Sequence, residues 1–235
     1  LNMPSITRNG VNIHFETYGK GPAILLSHGF SDSLEVWKHQ IDSLSSDYTL
    51  VVWDLRGHGK SDSPQNIDQY SEKETVLDML GIIDSLNIKK TMIGGFSLGG
   101  YMSLAFYQRF PEKVSSLLVV DTGPGFKNNE ARDDWNKYAI KSAEKFEKRK
   151  LKGISFAARG MLTQQDDRII NSLPDISVPT LIIVGEEDKP FLSAAEYMNK
   201  KIVNSKKIII PKAGHAPNID QPELFNIAVL DFLKK

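Results

Sequence analysis

The chain has 235 residues, a formal net charge of zero from 29 basic and 29 acidic side chains, and no cysteine. That length suits one large α/β domain or two small ones and suffices to bury a sizeable core. Balanced charge without a basic tract argues against nucleic-acid and membrane-surface partners, and the missing cysteines exclude disulfides, thiolate metal ligands and cysteine nucleophiles.

The first ten residues, LNMPSITRNG, lack the basic start and apolar core of a signal peptide, and no run reaches transmembrane length. Met3 is a candidate natural start, and the expected location is cytoplasmic. SITRNGVNIHFETYG reads as two alternating strands joined at Asn9-Gly10, a strong hairpin signal. Six apolar runs follow in order: AILLSHG, TLVVWD, KTMIGG, SSLLVVD, PTLIIVG and KKIIIP. Runs that are apolar throughout suit strands covered on both faces, as in a parallel sheet. Apolar residues at three- and four-residue spacing predict helices over 34–46, 71–86, 98–110, 192–202 and 222–233. The alternation predicts an α/β fold, a mostly parallel doubly wound sheet led by an antiparallel hairpin, with its crevice at the carboxyl ends of the strands. Residues 123–175 break the rhythm. They are charge-rich, helical in period and without a convincing strand. They are expected to be a short helical insertion covering the carboxyl edge, leaving 1–122 and 176–235 as the core of a single domain.

Within KTMIGG-FSLGGYMS, residues Gly95 to Gly99 spell G-x-S-x-G. The pentapeptide is weak evidence by itself. Its place between a strand and a helix is what matters, because a sharp strand-to-helix turn lifts a serine hydroxyl clear of the backbone. Small residues two before and two after Ser97 let neighbouring chain pass closely. A serine needs a base, and the base needs an acid to orient it. Of five histidines, His14 reads as a surface strand residue and His39 as a solvated helix residue. His215, just after the last strand in PKAGHAPNIDQPELF, lies where the base must be. The acid is expected between the two in chain order. Asp188, at the strand end in PTLIIVGEEDKP, is preferred. Glu186 and Glu187 read as solvated neighbours, and Asp121, ending SSLLVVD, is the serious competitor. Two backbone amides should meet the developing oxyanion: that of Leu98, after the nucleophile, and that of Phe30 in HGFSDS. His28 is expected to support that loop, and Ser31, Asp32 and Ser33 to serve as turn and cap residues.

SHGF with Trp37 downstream, WDLRGHGKSD over 53–62, GFSLGG, GEED and GHAPNIDQPELF together resemble the α/β-hydrolase superfamily, almost end to end. They match its oxyanion loop, its D-x-R-G-x-G-x-S segment, its nucleophile elbow, its acid turn and its histidine loop. The resemblance implies a serine hydrolase without metal or cofactor, and a cap over its pocket. It makes the loop around His58 structural. Ser97 in the elbow disfavours the branches with an aspartate nucleophile, the haloalkane dehalogenases and epoxide hydrolases. Residues 123–175 are shorter than the cap common in that family, which points to an open pocket or one completed by a second subunit. Phe126, Trp135 and Phe191, with Phe156 and Met161, are candidate pocket-lining groups, and packing under the cap is an equal reading for each. A charged substrate would need a cation, and Arg132, Arg159 and Arg168 are the candidates. The expected partner is a small ester or lactone, acted on by a monomer or homodimer. Enol-lactone hydrolysis, carbon–carbon bond hydrolysis and cofactor-free perhydrolysis use the same residues, and a ligand receptor with a vestigial triad is the alternative of another class.

Overall fold

The computed structural model describes residues 4–235, and the candidate start at Met3 lies outside them. Eight strands form one sheet: β1 (Ser5–Arg8), β2 (Val11–Tyr18), β3 (Ala23–Ser27), β4 (Thr49–Trp53), β5 (Thr91–Phe96), β6 (Val114–Val120), β7 (Thr180–Gly185) and β8 (Ser205–Ile210). Their order is β1-β2-β4-β3-β5-β6-β7-β8. β2 pairs antiparallel with β1 and β4, and every other pair is parallel. The apolar runs of β3 to β7 are buried on both faces, as their composition demands, whereas β8 at the edge of the sheet leaves Ile209 exposed. Leu25, Val51, Ile93, Leu117 and Ile182 join one core layer, while Leu26, Val52, Met92, Leu118 and Ile183 join the layer behind the sheet.

Helix α1 (Ile41–Ser45) is preceded by a 3-10 segment, Leu34–Gln40, where a continuous helix is expected from the sequence. Leu34, Trp37 and Gln40, all buried, are spaced by three, and three residues per turn stacks them on one face. Helices α2 (Glu72–Ser85) and α3 (Leu98–Arg109) lie where periodicity puts them. Between β6 and β7 come α4 (Asn129–Lys148), α5 (Lys152–Ala157), a π turn (Ala158–Leu162) and α6 (Arg168–Ser172). The remaining helices are α7 (Lys189–Lys201), α8 (Pro217–Asp220) and α9 (Pro222–Leu233). α7 begins three residues before the expected start, with Pro190 in its first turn, where a missing N–H costs nothing.

The Asn128 side chain accepts the Ala131 amide at 3.0 Å and caps α4. Asn128→Ala should cost about 1 kcal/mol, a fall of roughly 2–4 °C in thermal midpoint, because an orphan amide loses its acceptor.

His14 corrects one expectation. It is 6% exposed rather than at the surface. The 54–62 loop folds over β2, where Ser61 Oγ accepts the His14 amide at 2.9 Å, and the His14 ring meets Glu16 at 2.8 Å. That loop is itself pinned by Arg56, whose buried guanidinium grips both oxygens of Asp78 on α2 at 2.7 and 2.8 Å. Among the described residues no helix is long and apolar enough to cross a membrane.

Candidate active site

Ser97 sits between β5 and α3 with φ 54° and ψ −116°, a left-handed conformation rarely adopted by a non-glycine residue. The turn is clamped from β6: the Ser97 amide donates to Val120 O at 2.8 Å, and Thr122 Oγ1 donates to Ser97 O at 2.6 Å. The flanking glycines are required by close approach. A Cβ on Gly95 would stand 2.2 Å from the Gly99 carbonyl, and one on Gly99 would stand 2.2 Å from Ser27 O.

His215 comes from the loop after β8. Its Nε2 lies 3.2 Å from Ser97 Oγ and its Nδ1 2.7 Å from Asp188 Oδ2. Asp188, 8% exposed, directly precedes α7. The acid turn and the histidine loop are tied by backbone bonds: Glu186 N donates to Ile210 O at 2.9 Å and Glu187 N to Ala213 O at 2.8 Å. Glu186 and Glu187 themselves are exposed. The imidazole stands between two aromatic rings, Phe96 at 5.0 Å and Phe191 at 5.1 Å between centroids.

The loop after β3 carries Phe30, and Leu98 opens α3 directly after Ser97. Among the described residues, no acceptor in the chain takes up the backbone amide of Phe30 or of Leu98. The loop is held by two wholly buried imidazoles 5.0 Å apart. His28 Nδ1 donates to Gly29 O at 2.7 Å, and its Nε2 accepts the Leu55 amide at 3.0 Å. His58 Nδ1 faces Arg56 O at 3.1 Å, and its Nε2 accepts the amide of Ser31 at 3.0 Å. Each ring thus donates from Nδ1 and accepts at Nε2, which only a neutral imidazole can do. Burial, with the neighbouring imidazole adding for His58, pushes their pKa values down to about 4 for His28 and about 3 for His58.

In sequence Asp121 is a rival of Asp188 for the acid, and in the fold it lies beside it: Asp121, Asp188 and His215 each offer an atom within 4.8 Å of one another. Asp188 Oδ2 and His215 Nδ1 are already spent on each other.

Ser97 opens on a cavity of about 420 Å³. Phe126, Trp135 and Phe191 line it, with Tyr101, Ile170 and Tyr197. Phe156 and Met161 do not. Phe156 packs on Tyr70 with ring centroids 5.5 Å apart, and Met161 is buried in the core. Among the described residues no charged side chain lines the cavity. Arg132 donates to Phe126 O at 2.8 Å, Arg159 pairs with Glu147 at 3.6 Å, and Arg168 is held by Gln108, Glu72 and Asp166.

An alpha/beta hydrolase fold family model matches residues 22–149. A Bacillus subtilis (strain 168) protein named as a candidate 2-succinyl-6-hydroxy-2,4-cyclohexadiene-1-carboxylate synthase is 28% identical, over 94% of this chain and 95% of its own length. 3-Oxoadipate enol-lactonase 2 of Acinetobacter baylyi is 26% identical, over 98% and 96%. Among solved structures, a thermophilic esterase from Thermogutta terrifontis superposes with a TM-score of 0.86 and 26% identity, over 100% of this chain and 98% of that one. With more than half its length matched by the family model, the chain belongs to the alpha/beta hydrolase fold family, and hydrolysis is the activity its relatives support.

Proposed function

We propose that the protein hydrolyses carboxylic esters through an acyl-enzyme on Ser97, with His215 as base and then acid, and Asp188 orienting His215. The observation that carries the reading is the unbroken run from Ser97 Oγ to His215 at 3.2 Å and on to Asp188 at 2.7 Å, opening on the cavity. Oγ attacks the ester carbonyl while Nε2 takes its proton. The tetrahedral oxyanion is met by the amides of Leu98 and Phe30, which need not be drawn from another bond. Collapse expels the alcohol, which leaves with the proton from Nε2. Water then repeats the sequence on the acyl-enzyme and releases the acid. Residues 123–175 act as a short cap: Trp135, Leu162 and Gln164 from that segment wall the cavity and limit water at Ser97.

The walls favour a neutral acyl or alcohol group. The relatives' names point to carboxylate-bearing substrates. Here a buried carboxylate would find no cation, and stripping it of water without a partner is costly. A neutral lactone uses the same steps and is the second reading.

An alkyl nitrophenyl phosphonate tests the chemistry, because it traps an activated serine as a stable adduct. One adduct per chain, on Ser97 and blocked by a neutral ester, is expected. Short-chain nitrophenyl esters should turn over at least about tenfold faster in kcat/KM than half-esters of the same length ending in carboxylate. No adduct, together with no turnover above a Ser97→Ala blank, would establish the receptor reading instead. A preference for the half-esters would overturn the neutral substrate class.

A further inference from the structure

We propose that Asp121 stands in this site as a neutral carboxylic acid that donates a hydrogen bond to Asp188 and so positions it; its role in turnover rests on the ester-hydrolase reading above.

Asp121 directly follows β6 and is 1% exposed. Its backbone is held in the left-handed region at φ 46°, and its amide donates to Ile183 O at 2.9 Å. Aspartate tolerates that region better than most residues, and the bend turns its carboxyl toward the end of β7. There Oδ2 accepts the Gly185 amide at 3.1 Å. Oδ1 is buried and has no donor among the described residues. As an acceptor it is an orphan. As a hydroxyl it has a partner, because the Asp188 carboxylate stands beside it.

Two carboxyl groups buried against each other with no side-chain cation between them cannot both hold a charge, so they share one proton. The hydrogen bonds decide which keeps it. Asp188 takes the Nδ1–H of His215 at 2.7 Å, a bond made for a carboxylate, whereas Asp121 has a single backbone amide. The groups that face Asp121 are Asp188 after β7, His215 after β8 and Asp220 in α8. Both carboxylates push the proton onto Asp121. Burial is the largest cause, and together they raise its carboxyl to about 9. Asp188 then has His215 on one side and a fixed O–H donor on the other, which holds the carboxylate plane. Asp121 acts through Asp188 and is a positioning residue.

Three measurements on the whole chain decide it. Infrared difference spectra at pH 7 should show the C=O stretch of a protonated carboxyl that is missing in Asp121→Asn. In the wild type it should convert to carboxylate only above about pH 9. The low-field proton resonance of His215 Nδ1–H should persist in Asp121→Asn, whose amide supplies the same donor, and should shift or broaden in Asp121→Ala. With neutral nitrophenyl esters, Asp121→Ala should lose roughly 10- to 100-fold in kcat with little change in KM, the effect of removing a hydrogen bond to a charged group. Asp121→Asn should recover most of that loss and lack the wild-type decline above about pH 9. Absence of the neutral-carboxyl band, or an Asp121→Asn variant as impaired as Asp121→Ala in both resonance and rate, overturns the proposal. Should Asp121→Ala fail to fold, the band and the Asp121→Asn comparison decide. A wild type that shows the band and resonance but leaves the phosphonate unreacted overturns the ester reading alone.

Discussion

Asp188→Asn is expected to lower kcat on neutral esters by about 10⁴-fold at pH 7 while the fold remains intact. The loss follows from which end of the new amide meets the ring. Asp188 Oδ2 now accepts the His215 Nδ1–H at 2.7 Å. In the variant, the Asp121 hydroxyl claims the amide oxygen, which leaves the NH₂ group facing His215. An NH₂ donor can only be met by an unprotonated Nδ1, so the imidazole carries its hydrogen on Nε2, 3.2 Å from Ser97 Oγ. A nitrogen that already holds a proton cannot take one from serine. Phosphonate labelling of Ser97 should slow in parallel, because it needs the same proton transfer. Turnover within tenfold of wild type, combined with an inactive but folded Asp121→Asn, would transfer the acid role to Asp121.

That pair of aspartates marks the boundary of what the sequence makes legible. Strands buried on both faces announce themselves as apolar runs, and the elbow at Ser97 is visible because close approach demands glycine at 95 and 99. His215 and Asp188 stand out as the candidate base and acid because chain order and strand ends leave few places for either, and the fold brings the two side chains to 2.7 Å. What is lost in one dimension is neighbourhood. Asp121 ends β6 and Asp188 follows β7, and adjacent parallel strands bring their ends together. The sequence therefore offers them as rivals where the sheet makes them partners. His14 departs from its expected surface place for a similar reason. Strand alternation gives its face, but the loop over 54–62 that covers the face comes forty residues later. The sequence motif around Arg56 contained that information only as a resemblance. Phe156 and Met161 show the limit for the cavity. Helical period says that a residue faces inward, and not whether it faces the cavity or the core beneath it.

The buried imidazoles give the second large effect, and it is offset in the wild type by the titration of Asp121, which Asp121→Asn removes. His28 and His58 stay neutral in the folded chain down to about pH 4 and 3, whereas an unfolded histidine titrates near 6.5. Above 6.5 their contribution to stability is complete. As pH falls below it, the unfolded chain takes up two protons that the folded chain refuses, and stability drops by about 1.4 kcal/mol per unit for each ring. Between pH 7 and 5 the pair should therefore remove about 4 kcal/mol. Asp121 works in the opposite direction. Its folded value of about 9 lies above the unfolded one, so over the same interval the folded chain holds a proton that the unfolded chain lacks. Acidification from pH 7 to 5 thus returns about 3 kcal/mol in the wild type. Denaturant unfolding at the two pH values should show a small net loss for wild type and a loss larger by about 3 kcal/mol for Asp121→Asn, since other titrating groups cancel between the two. Equal losses in both chains would remove the neutral Asp121, and no acid loss in Asp121→Asn would remove the neutral imidazoles. The same titration reaches the chemistry. The His58 Nε2 lone pair holds the Ser31 amide at 3.0 Å, one residue from Phe30. A proton on that nitrogen turns an acceptor into a second donor and repels the loop. That release should come only near pH 3, where the folded His58 itself takes up a proton, well below the interval in which stability is lost.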